Sequence, residues 1–78
     1  MSESLFATQL VHADHVRSFQ IRTAFPAGWE VSEHDNQQTV YQQRYADWHR
    51  VERTLVRFKL EIAELRRQGW RDLTASPD

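Results

Sequence analysis

The feature that most constrains this chain is a stripe of apolar residues between Trp48 and Leu65. Trp48, Val51, Leu55, Phe58, Ile62 and Leu65 recur at alternating spacings of three and four, the repeat that aligns side chains along one side of an α-helix. Val56, Leu60 and Ala63 are read as widening the stripe, as suits a helix lying on a sheet. No glycine or proline interrupts the run. Asp47 is placed to cap its start by accepting a bond from a backbone N–H of the first turn. Gly69 supplies the left-handed residue that ends many helices, and Trp70 then folds back onto Leu65. Arg66 and Arg67 complement the negative end of the helix dipole. The spacing predicts a helix from about Trp48 to Gln68.

A helix with one apolar stripe needs a surface to cover, and the preceding residues have the period of strands. From Arg17 to Phe25, the residues Phe19, Ile21, Thr23 and Phe25 point one way while Ser18, Gln20 and Arg22 point the other, the alternation of a half-buried strand. Pro26-Ala27-Gly28 breaks it as a turn. Trp29 and Val31 open a second strand, which runs towards an expected hairpin turn at Asp35-Asn36. Thr39, Val40, Tyr41 and Tyr45 suit a third strand by residue type. Tyr41, Tyr45 and Trp48 also fall at helical spacing, and Asp35 with Gln38 matches a capping box. A helix from about Asn36 to Gln68 is therefore the alternative. It would be unusually long and would leave two strands to cover it, so the strand is preferred.

The expected fold is α+β: a small antiparallel three-stranded meander with one long C-terminal helix packed across one face. Residues 16–73 form this single ββ(β)α domain, 1–15 are an N-terminal segment without assigned structure, and 74–78 are a disordered tail. The expected core is Phe19, Ile21, Trp29, Val31, Trp48, Val51, Leu55, Phe58, Ile62, Leu65 and Trp70.

A chain of 78 residues buries only about 60% of the surface its unfolded form exposes. With no cysteine, neither disulfides nor thiolate metal sites can reinforce it. Association is the remaining route, and a homodimer is its simplest form. The formal net charge of −1 gives no excess of cations for non-specific nucleic-acid binding. The chain has no long apolar run and no basic-then-apolar start. It is therefore expected to be cytoplasmic and to have no membrane partner.

Motifs that carry chemistry are sparse. Gly28 and Gly69 are the only glycines, too few for a loop that cradles phosphates. His12, Asp14 and His15 are metal-ligating types, but their spacing does not put two ligands on one helix face, and solvated polar residues are the simpler account. His49 and Glu52, three apart on the helix, form an acid–base pair only on paper, since no nucleophile or oxyanion donor accompanies them. No catalytic residue, metal ligand or cofactor is assigned. Trp29, Trp48 and Trp70 sit at element ends, where they can seal a small core. With Tyr41 and Tyr45 they could instead form a stacking platform for single-stranded nucleic acid.

Charge along the helix is more informative. Arg50, Arg53 and Arg57 lie on one strip of its first half, and Glu61 and Glu64 continue that strip. A solvated face accounts for this, and so does an antiparallel two-fold interface in which the basic half of one helix meets the acidic half of its mate.

The run Tyr45-Ala46-Asp47-Trp48-His49-Arg50-Val51-Glu52-Arg53, followed by Phe58, Leu65 and Gly69-Trp70, resembles a small uncharacterised bacterial protein family of unknown function. The resemblance covers about a third of the chain, implies a bacterial source and transfers no catalytic residue. The helix closed by a glycine and an aromatic is also loosely similar to the WGR domain of DNA-repair proteins. The Trp-Gly-Arg signature of that domain is absent here, so its nucleic-acid binding is not carried across. The expected function is a non-enzymatic protein–protein interaction module, self-associating as a homodimer or docking on a larger protein. The alternative is an accessory nucleic-acid-binding protein using the basic helix face and the aromatic sheet.

Overall fold

The computed structural model describes residues 4–73; the expected disordered tail at 74–78 lies outside the described residues. Among the described residues, five strands and one helix follow in the order β1 (Ser4–His12), β2 (His15–Thr23), β3 (Trp29–Asp35), β4 (Gln38–Tyr45), α1 (Trp48–Arg67) and β5 (Arg71–Asp72). All pair antiparallel in one sheet of order β4-β3-β2-β1-β5. The α+β class and the single helix agree with the sequence. The expected three strands become five.

The extra strands come from both ends. Residues expected to lack assigned structure form β1, joined to β2 by a two-residue turn that brings His12 opposite His15. That turn is Ala13-Asp14, with Ala13 at a positive φ of 54°. Alanine is not a residue that signals such a turn. β5 is two residues added beyond the helix, on the outer side of β1.

The remaining connections use more legible chemistry. The β3–β4 hairpin turns on Asn36 and Gln37, both at positive φ, one residue later than expected. Gly28 has φ +95°, and a Cβ there would lie 2.6 Å from the Tyr45 carbonyl oxygen, so the turn between β2 and β3 admits only glycine. A register shift between Glu33 and His34 marks a bulge in the β3–β4 pair. Gln38–Tyr45 is a strand, and the long-helix alternative is set aside.

Both helix ends form as the sequence implied. Asp47 accepts the His49 N–H at 3.0 Å. At the other end the Trp70 N–H donates to Leu65 O at 3.0 Å and the Gly69 N–H to Arg66 O at 3.1 Å, the paired bonds of a Schellman motif.

The core between helix and sheet contains Leu10, Phe19, Ile21, Val31, Val51, Phe58, Ile62 and Leu65. Phe19 and Phe58 meet edge to face with centroids 5.2 Å apart. Trp29, Leu55 and Trp70 are half-buried against this cluster. Several expectations require correction. Trp48 is 40% exposed, resting against Trp29 at 5.2 Å. Phe25 is 79% exposed because β2 stops at Thr23, before the alternation reaches it. Val56 is 56% and Leu60 68% exposed. Each lies two residues from Phe58, which is about 200° round the helix axis, so neither can widen the buried stripe. Ala63 is exposed as well. Among the described residues, no helix is long and apolar enough to cross a membrane.

Candidate functional site

Strand β4 ends the sheet on one side, and its alternation divides its side chains between two surfaces. Tyr41, Gln43 and Tyr45 stand opposite Glu33, Val31 and Trp29 and so share the helix side of the sheet. Gln42 and Arg44 stand opposite Ser32 and Glu30 on the other side, where Gln42 donates to Glu30 at 3.0 Å. The chain turns back after Tyr45, so α1 runs alongside the strand it has just left. From Arg50 to Arg57 the helix rises about 10 Å, and from Tyr41 to Tyr45 the strand spans about 13 Å. The two rows are matched in length.

Between them lies a groove of about 360 Å³ lined by Tyr41, Tyr45, Arg50, Arg53, Thr54 and Arg57. The Tyr41 and Tyr45 hydroxyls are 2.8 Å apart. Their shared hydrogen bond, with a smaller contribution from burial, raises the Tyr45 pKa above the usual phenol value. Arg57 rests on the Tyr41 ring, 4.5 Å from its centroid. Thr54 spends its O–H on the Arg50 carbonyl at 3.0 Å. Among the described residues, the guanidinium groups of Arg50 and Arg53 make no hydrogen bond, ion pair or ring contact.

The acidic half of the strip is placed differently. Glu61 accepts from Arg17 of β2 at 2.8 Å, and the same guanidinium pairs with the buried Glu33 of β3. Burial raises the Glu33 pKa above its usual range, Arg17 opposes that rise, and Glu61 adds to it. For Arg17, burial acts to lower the pKa, and the two carboxylates outweigh it, so the net shift is upward. Glu64 pairs with Arg67. The five interface candidates therefore divide. Glu61 and Glu64 have partners within the chain, Arg57 stacks on Tyr41, and Arg50 and Arg53 face outward.

The aromatic residues are also accounted for within the chain. Trp29 packs on Trp48, and Trp70 stacks on His12 with centroids 5.5 Å apart. His15 meets the edge of Trp70 and lies 3.6 Å from Asp35. Among the described residues, no group of three or more histidines and carboxylates stands close enough to hold a metal ion. His49 and Glu52 are 3.8 Å apart in open solvent.

Sequence reasoning missed Arg17 and Glu33. The signal was present, since Glu33 continues the inward alternation of Trp29 and Val31, and an acid in that position requires a cation. The role of Tyr41 and Tyr45 as walls of a polar groove depends on where α1 returns, which no local pattern specifies. No model of a known protein family, no curated protein and no solved structure matches the chain.

Proposed function

We propose that the protein is a non-enzymatic protein–protein interaction module that receives an extended segment of a partner along β4. The observation that carries this reading is the open edge itself. Among the described residues β4 has one neighbour in the sheet, and it is eight residues long. Edge strands present a row of unpaired N–H and C=O groups to any chain able to pair with them. Native folds usually blunt such edges. At the opposite edge β5 covers only Leu10 and Val11 of β1, whose remaining edge is interrupted by a register shift between Ser4 and Phe6, whereas β4 has no proline and is regular in register from Tyr41 to Tyr45. Addition of a strand is a common mode of peptide recognition, in which backbone bonds supply affinity and alternate side chains supply selectivity.

A second copy of this chain is the less favoured occupant. Two β4 edges meeting about a two-fold axis would bring Arg44 and the Arg50–Arg53–Arg57 row of both copies to one seam. Like charges so placed oppose association. Stacking of nucleic-acid bases is also less favoured, because Tyr41 and the three tryptophans already have ring partners within the chain.

Amide hydrogen exchange read by NMR tests the proposal with three octapeptides. All alternate Thr or Val with a second residue that is Glu, Gln or Lys. Protection of β4 amides by at least one peptide is the expected result. Failure of all three to protect β4, or a protein that sediments as a dimer and dissociates on dilution, would overturn it.

A further inference from the structure

Resting on that reading, we propose that the partner segment is acidic, with carboxylates at alternate positions held by Arg50 and Arg53 over the Tyr41–Tyr45 wall. Arg50, Arg53 and Arg57 are like-charged neighbours at spacings of three and four, an arrangement that costs a helix stability. Arg57 offsets its share on the Tyr41 ring, and nothing among the described residues does so for Arg50 and Arg53. The acids that an antiparallel helix pair would set against them, Glu61 and Glu64, are bound to Arg17 and Arg67. The groove is therefore left with an unneutralised cationic rim.

Geometry then selects the ligand. A strand added outside β4 projects alternate side chains to the helix side, level with Tyr41, Gln43 and Tyr45. These side chains enter the space below the arginine row. Carboxylates spaced two residues apart stand about 7 Å from one another, within reach of guanidinium groups on long, flexible stems. Arginine suits this task because its planar fork matches the two oxygens of a carboxylate. The tyrosine pair adds polarity to the wall, since only one of its two O–H protons is spent between the rings. An uncharged strand would gain backbone bonds and leave both arginines unpaired. A basic strand would be repelled.

The three octapeptides, compared by titration at low and high salt, separate this inference from the reading beneath it. The Glu peptide should bind on the order of tenfold tighter than the Gln peptide, with the advantage shrinking as salt rises. In the variant carrying Arg50→Glu and Arg53→Glu the order should invert in favour of the Lys peptide, and Arg50→Gln with Arg53→Gln should remove the discrimination. Both positions are exposed, and circular dichroism would verify the fold of each variant. Equal binding of Glu and Gln peptides with β4 still protected would overturn the acidic preference and leave the edge-docking reading standing. A charge preference that survives Arg50→Glu and Arg53→Glu would overturn the assignment to these arginines. Tighter binding of an eight-nucleotide oligothymidylate than of the Glu peptide would overturn the proteinaceous ligand.

Discussion

Arg57 lays its guanidinium over the ring of Tyr41, 4.5 Å from the centroid, and so ties the middle of α1 to the outermost strand of the sheet. The contact consumes two residues for which the sequence left an outside partner as an alternative, an acidic helix for Arg57 and a base for Tyr41. It also holds one rim of the groove in place. Replacing Tyr41 by Phe retains the ring and loses only the hydroxyl shared with Tyr45. Replacing it by Leu removes the cation–π contact as well. In a urea-unfolding cycle with Arg57→Met, the coupling between the two positions should be about 0.5–1 kcal/mol with Tyr at 41, and should vanish with Leu.

Leu10 tests whether β1 belongs to the core. Its side chain is fully buried, on a strand flanked there by β2 and β5, although it lies in a segment that sequence alone left without structure. Leu10→Ala should cost about 2–5 kcal/mol in chemical unfolding. Leu5→Ala, on the exposed start of the same strand, should change stability by no more than about 0.5 kcal/mol.

What was legible in the sequence was local. The extent and both ends of the helix were readable, because an uninterrupted stripe, an aspartate cap and a glycine stop all report on the same few turns, whereas the width of its buried face was overdrawn at Val56, Leu60 and Ala63. β2 and the start of β3 were readable from alternation around Phe19, Ile21 and Val31. β1 was not, because its alternation runs Phe6, Thr8, Leu10, with a polar residue on the buried side, and its turn is Ala13-Asp14. β5 exists only because the helix returns the chain to the free side of β1. For the candidate site, the arginines were visible as a strip, but which of its charges were free depended on Arg17, more than forty residues from Glu61 in sequence.

The two faces of α1 yield a sharper contrast than either residue alone. Phe58 is buried against Phe19, and Leu60 points away from the sheet. Phe58→Ala should cost about 3–5 kcal/mol, whereas Leu60→Ala should fall within about 0.5 kcal/mol of the parent, both measured by denaturant midpoint with the slope held constant. Similar losses at the two positions would mean that the outer face of the helix is also covered in solution.

The pairing of Arg17 with Glu33 and Glu61 predicts a particular pH dependence. Burial raises the Glu33 pKa above its ordinary value of 4.5. Its contribution to stability is therefore fully present below that value and is lost as pH rises through the folded-state pKa. Glu30 behaves oppositely. Its hydrogen bond from Arg22, aided by Gln42, lowers its pKa from 4.5, so its contribution is present above that value and is lost as pH falls through the lowered pKa. Melting temperatures followed through the acid range should separate the two. Glu30→Gln should flatten the profile below the ordinary carboxylate pKa, and Glu33→Gln should flatten it above. Arg17→Met is the severest of these three changes, because it leaves Glu33 buried beside Glu61 with no cation between them. It should cost about 1–3 kcal/mol at neutral pH, and much of that loss should return on acidification, when Glu33 takes up a proton. An Arg17→Met deficit that is the same at neutral pH and at about pH 4 would mean that Arg17 acts through the packing of its stem and not through its charge.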